Sequence, residues 1–266
     1  MKMKIEIVKT ELEEMLERVE MKGKYFDGDT AKSGVLSPYA YAYNKDDKLF
    51  VLNGDNTTAC LIVSEDACVN SVDDGECVLD IDKTVKYLSP FDTNVVFNSL
   101  GGYLEMSEDD TLAKLPLVVE HPAKGMVDLL NARGFNTIEI VATGADTMPT
   151  FGKTQYESRV KVNVAELELA VKHCDKVNNA RYELKFQVSG NDPRLSLSSE
   201  RSHTDGITTE ITVPDYTGAG ATVEFTGNIL KFLKGVDYVT IFLKDDSPVL
   251  FVTESSIMVK APYLRR

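Results

Sequence analysis

The feature that most limits what this chain can fold into is an internal repeat. The segment "VLDIDKTVKYLSPFDTNVVF" (78–97) aligns without gaps with "VEFTGNILKFLKGVDYVTIF" (223–242). Val78 falls on Val223, Lys86 on Lys231, Tyr87 on Phe232, Leu88 on Leu233, Asp92 on Asp237, Val96 on Ile241 and Phe97 on Phe242. After a slip of one residue the match continues, with Glu108 on Glu254, Lys114 on Lys260 and Pro116 on Pro262. The openings also match: "IEIVKTELEEMLERV" (5–19) aligns with "VKVNVAELELAVKHC" (160–174). A long period of this kind means one supersecondary unit used twice. The chain therefore reads as two similar domains, 1–119 and 158–266, joined by a long connection, 120–157.

Each unit opens with a short alternating strand that passes into an amphipathic helix. Leu12, Met15, Leu16 and Val19 make the apolar stripe of the first helix; Leu167, Ala170, Val171 and Cys174 make that of its counterpart. A second helix is expected in each unit, the later one over Asn228–Gly235. Its stripe is Ile229, Leu230 and Leu233, with Phe232 at the border and Lys231 and Lys234 on the polar side. Strands are expected at "KLFVLN", "TACLIVS", "YELKFQVS", "RLSLSS", "ITTEITV" and "VTIFL". Turns are expected at Asn53-Gly54, Gly101-Gly102, 189–192 and Asp205-Gly206. Four short helices on mostly antiparallel sheets give an α+β fold.

Composition narrows the function. Forty-two acidic against 29 basic residues give a net charge of -13, which argues against a protein that coats nucleic acid everywhere. It permits one basic surface, because fields are local at physiological salt. No apolar run reaches the length of a membrane span and the N-terminus lacks a signal-peptide core, so an intracellular protein is expected, in cytoplasm or nucleoid, or in a eukaryotic nucleus. Cys60, Cys68, Cys77 and Cys174 lack zinc spacing and read as reduced, buried thiols; His121, His173 and His203 are scattered, and no metal or cofactor is expected. No phosphate loop, nucleophile elbow or HExxH occurs, and "TGAGA" (217–221) precedes a strand. The pairs Asp73-Asp74, Asp109-Asp110 and Asp245-Asp246 read as loop tips.

The layout resembles the sliding clamps of the proliferating-cell-nuclear-antigen type, archaeal, eukaryotic and phage. The resemblance is clearest over 158–266, through "VKVNVAELELAVKHCDKV", "LKFLKGVDYVTIFLKDDSPVLF" and "IMVKAPYL". It implies a DNA-clamp fold that forms a ring, with two helices per domain packed on antiparallel sheets and lining the hole. It further implies a homotrimer without enzymatic activity that holds double-stranded DNA without sequence specificity and tethers a DNA polymerase, a clamp loader and other proteins bearing clamp-binding peptides. Two features depart from that pattern. The connection is long, and the first helix is acidic, with Glu11, Glu13, Glu14, Glu17 and Glu20 against Arg18.

Under this resemblance the DNA-facing residues are Lys83 and Lys86, Lys172 and Lys176, and Lys231 and Lys234. Taken singly, each is also an ordinary solubilising lysine; their recurrence on three corresponding helices points to phosphate contact. A partner-peptide pocket would be formed by Leu117, Val118, Pro248, Ala261, Pro262, Tyr263 and Leu264, with Met126, Leu129 and Leu130 from the connection. The subunit joint would pair a strand near Thr111–Val119 with one near Ile207–Val213, through Thr111, Leu115, Leu117, Ile207, Thr209, Ile211 and Val213. The alternative reading is a clamp-fold regulatory or heteromeric interaction subunit that does not hold DNA.

Overall fold

The computed structural model describes residues 3–27, 30–55, 57–72, 75–117, 148–178, 181–189, 192–202, 205–227 and 229–263. In chain order the first elements are β1 (Lys4–Val8), α1 (Lys9–Val19), β2 (Met21–Asp27), β3 (Thr30–Ser37), β4 (Tyr39–Lys45), β5 (Lys48–Gly54) and β6 (Thr58–Val63). Next come β7 (Val69–Val72), β8 (Glu76–Asp80), α2 (Ile81–Leu88), β9 (Asn94–Leu100), β10 (Tyr103–Glu108) and β11 (Thr111–Pro116). Then follow β12 (Thr150–Phe151), β13 (Thr154–Gln155), β14 (Ser158–Asn163), α3 (Val164–Cys174), β15 (Arg181–Ser189) and β16 (Asp192–Ser202). The last are β17 (Asp205–Ile211), β18 (Asp215–Thr217), β19 (Gly220–Thr226), β20 (Tyr238–Leu243), β21 (Val249–Val252) and β22 (Ser256–Lys260).

The chain divides into two compact units. The first is Met1–Lys22 with Val35–Asp55 and Cys60–Asp128; the second is Gly23–Gly34 with Asn56–Ala59 and Leu129–Arg266. In the first, a sheet ordered β11-β10-β9-β1-β7 accompanies a run β6-β5-β4-β8. In the second, a run β18-β14-β20-β21-β22 accompanies a sheet β17-β16-β15-β19. Alternation sends one side chain in two inward: Ile5 and Ile7 meet Phe97 and Val95 in one core, and Val160 and Val162 meet Ile241 and Val239 in the other. Leu12, Met15, Leu16 and Val19 of α1 are buried, as are Leu167, Ala170, Val171 and Cys174 of α3. Each fully buried side chain of this size contributes about 1.5–3 kcal/mol.

The ladders correct the sequence alignment by one residue. Phe97 pairs with Ile5 and Met106, and Met106 with Ala113. In the second unit Ile241 pairs with Val160 and Phe251, and Phe251 with Met258. Phe97 therefore corresponds to Ile241, not Phe242. Lys260 corresponds to the buried Leu115, not to the exposed Lys114. A one-residue slip exchanges the two faces of a strand. The slip falls where α2 in one unit stands opposite hydrogen-bonded turns in the other.

Those turns are the second correction. Over 229–235 there is no regular helix; Leu233 N donates to Ile229 O at 3.3 Å, Lys234 N to Lys231 O at 3.3 Å and Val236 N to Leu233 O at 3.2 Å. Gly227 and Gly235, at φ of 78° and 75°, bracket a stretch too short to propagate a helix. Phe232 is buried with Ile229 and Leu233, while Leu230 lies at the border. Two expected turns are also displaced. Asn53-Gly54 ends β5, and the β4–β5 hairpin turns at Asp46 and Asp47, both at positive φ; Asp205-Gly206 begins β17. Gly101-Gly102, at φ of 58° and 88°, closes β9–β10 as expected.

Candidate functional site

The three described helices set out the charged surface. Asp80 caps α2 by accepting from Lys83 N at 3.0 Å. Its carboxylate also binds Lys83 Nζ at 2.9 Å, and that bond raises the pKa of Lys83. Lys83, Lys86 and Tyr87 share the exposed face. Asn163 caps α3, accepting from Ala165 N at 2.9 Å and Glu166 N at 3.4 Å. Lys172 is exposed and paired with Glu168 at 3.0 Å, and Lys176 is exposed just beyond the helix. Lys231 and Lys234 project from the turns that replace the expected helix, and both are exposed. All six lysines thus reach solvent, two in the first unit and four in the second.

The face of α1 stays acidic, although it presents fewer charges of either sign than a residue count suggests. Arg18 is buried, as is Glu20. Glu11 is turned aside to accept from Glu65 N at 2.5 Å and Asp66 N at 3.4 Å, and burial raises its pKa. Glu13, Glu14 and Glu17 remain on the solvent side, with Lys9 3.9 Å from Glu13. α1 packs beside α2, the helix that carries Lys83 and Lys86.

Both strands expected at the subunit joint are sheet edges, β11 and β17. Leu117 N donates to Gly102 O at 2.8 Å, so alternate residues of β11 turn their backbone outward at Leu112, Lys114 and Pro116. Thr111 is exposed. Leu115, however, faces inward and lines a cleft with Leu104, Leu117, Lys83 and Thr84. In β17, Ile207 and Thr209 are half-buried and Ile211 is buried; Val213, just beyond, is buried too. Thr209 Oγ1 lies 3.2 Å from His173 Nδ1 on α3. The side chains of Leu115, Ile211 and Val213 therefore belong to their own cores. The outward side chains of these strands are Leu112, Lys114, Thr208 and Glu210.

The C-terminal residues gather in the second unit. Val249 pairs with Lys260, so Pro248 and Ala261 leave the hairpin at the same end. Pro262 bridges to Phe225, and Tyr263 N donates to Glu224 O at 2.7 Å. The Tyr263 ring, 45% exposed, lies 4.5 Å from the Arg181 guanidinium, which is ion-paired with Glu224. Tyr156 completes the group: its hydroxyl donates to Pro248 O at 2.8 Å and its ring sits 6.2 Å from Phe242. Burial pushes its phenol far above the ordinary range. Sequence reasoning missed Tyr156, Arg181 and Glu224; an aromatic two residues before an alternating strand was the only available signal. Leu117 lies in the first unit. Val118, Leu264 and the expected connection residues Met126, Leu129 and Leu130 lie outside the described residues.

Among the described residues no group of three His, Cys, Asp or Glu could hold a metal, and no helix is long and apolar enough to cross a membrane. The four cysteines are buried and none is in a disulfide. Asp109-Asp110 and Asp245-Asp246 lie in turns; Asp73-Asp74 and His203 lie outside the described residues.

No family model matches the sequence, and no curated protein matches it. Solved structures do match. One is the structure of the C-terminal region of FEN-1 bound to A. fulgidus PCNA, at a TM-score of 0.66 and 14% identity, covering 99% of both chains. Another is PCNA from Thermococcus kodakaraensis, at 0.65 and 16%, covering 98% of this chain and 100% of that one. The beta chain of DNA polymerase III from Streptococcus pneumoniae matches at 0.69 and 13%, covering 98% of this chain but only 65% of that longer one. At such identities the likeness concerns the fold, which is that of the sliding clamps.

Proposed function

We propose that the protein is a DNA sliding clamp, a processivity factor without chemistry of its own. It closes into a homotrimeric ring around duplex DNA inside the cell and tethers a polymerase and other replication and repair proteins. The observation that carries this reading is the set of six exposed lysines on α2, on α3 and just beyond it, and on the 229–235 turns, placed on a clamp fold. Lysine–phosphate contacts give attraction without reading bases, which suits a protein that must slide. The Pro248, Ala261, Pro262 and Tyr263 cluster supplies the docking site for partner peptides, with Tyr156 as a member. The test is retention on circular against linear DNA in moderate salt. A ring stays on the circle and runs off the linear ends, whereas equal retention on both refutes encirclement.

The acidic face of α1 favours a second reading, a clamp-fold interaction subunit that does not hold DNA. Glu13, Glu14 and Glu17 oppose phosphate on a helix packed against the one that carries Lys83 and Lys86. No DNA retention in either form, with partner-peptide binding intact, would select it.

A further inference from the structure

We infer that Lys114 of one copy meets Glu210 of a second copy across the joint, and that this pair sets the register of the two edge strands. The inference rests on the ring reading above. Each edge belongs to a sheet whose helix marks its inner face. On β11, Leu115 points inward to the cleft that Lys83 and Thr84 of α2 also line. On β17, Thr209 points inward to His173 of α3. Continuing one sheet into the other with all helices on one side puts Leu112 and Lys114 on the same outer face as Thr208 and Glu210. Neighbours on one face of adjacent strands lie close enough for an ion pair, whether directly opposite or on the diagonal.

Lys114 is already posed for this contact. Its ammonium is held 2.9 Å from Glu105 Oε1 and 4.8 Å from the Tyr103 ring, on the outer face at the open edge. Glu210 is the matching anion: of the two acids on β17, Asp205 shares the alternation of the inward Thr209 and Glu210 lies in the outward one, while acids on the other edge strands already have partners. Asp215 on β18 is held by Arg159, and Asp80 and Glu76 on β8 are held by Lys83 and Tyr41. Glu224 on β19 is held by Arg181. Glu210 is exposed on its edge; its charge acts on Arg194 one strand away, but that guanidinium is bound to Asp192. In the joint Lys114 stands between Glu105 and the second copy's Glu210, so removing it leaves two carboxylates facing each other.

The experiment measures solution mass of the full chain by analytical ultracentrifugation across a concentration series. Wild type, Lys114→Glu, Glu210→Lys and the double variant are compared, with circular dichroism melts as a check on folding. The expected result is an assembled wild type and single variants whose dissociation midpoint lies at about tenfold higher concentration. The double variant should recover most of the loss. An assembled wild type with unchanged single variants overturns the pair, and so does a double variant no better than the singles. A wild type that is monomeric at every concentration removes the joint itself, and with it the ring reading.

Discussion

The hydroxyl of Tyr156 donates to the carbonyl oxygen of Pro248 at 2.8 Å, bonding the residue just ahead of β14 to the residue just ahead of β21. Tyr156→Phe leaves that carbonyl without this donor and should cost about 1 kcal/mol of stability. If the cluster around Pro248 and Ala261 is where partner peptides dock, the same variant should weaken a fluorescently labelled clamp-binding peptide several-fold without altering oligomer mass. Unchanged peptide affinity would move the docking site elsewhere.

Lys231 and Lys234 project from a turn whose buried side is fixed by Ile229, Phe232 and Leu233. Replacing both lysines by Glu should therefore leave the fold intact while reducing polymerase stimulation on a primed template. Reversal of Lys172 and Lys176 should follow in effect, because Lys172 already shares its charge with Glu168. Direct DNA affinity should fall with a slope of roughly -0.9 in log salt per phosphate neutralised. Sequence preference should not change. Filter binding across a salt series measures both.

Ile211 is buried beneath α3 at 3% exposure. Ile211→Lys should destabilise the second unit by about 3 kcal/mol or more, since an unpaired charge enters an apolar core. It is thus a folding variant and not a clean probe of assembly. Leu112→Asp is the cleaner probe, because Leu112 is 65% exposed on the β11 edge. A thermal melt should show the first variant unfolding early and the second unchanged. Ultracentrifugation should show the second dissociated.

Glu108 accepts from Asp92 N at 2.5 Å, Thr93 N at 2.8 Å and Asn94 N at 3.0 Å, and from Thr93 Oγ1 at 2.6 Å. These donors, the Thr93 hydroxyl foremost, hold its pKa down to about 2, against 4.5 for a free carboxyl. A folded pKa below the unfolded one adds stability above about pH 4.5, and that stability is lost as pH falls from there towards 2. Glu108→Gln should lower the melting temperature at pH 7 and flatten this part of the acid limb. Melts at pH 7, 4 and 3 would show it, and identical acid limbs would contradict it.

Much of this arrangement was legible in the sequence because periodicity reports burial directly. The stripes of α1 and α3, the strands that flank them and the exposure of Lys231 and Lys234 followed from spacing alone. What failed was whatever depends on chain geometry between elements. The stretch from Ile229 to Gly235 carries a helix-like pattern, yet two glycines and a short span leave it as turns. The gap-free alignment could not sense the resulting shift at Phe97, and the one-residue slip introduced after it set Lys114 on Lys260 although one side chain faces out and the other in. Arg18 was counted as surface charge because composition cannot tell which side of a helix end is covered. Tyr156 escaped because its partner Pro248 is 92 residues away.

Pro116 has one more consequence. Within β11 the outward backbone comes from Leu112, Lys114 and Pro116, and proline carries no N–H. A strand laid along this edge can receive at most two amide donors from it, from Leu112 and Lys114. Three outward carbonyls still accept, so the seam lacks one backbone bond at Pro116 and can part from that end while the sheet behind it stays whole. In a closed ring, that would make this line a gate, able to part for a strand of DNA and shut again without any unit unfolding.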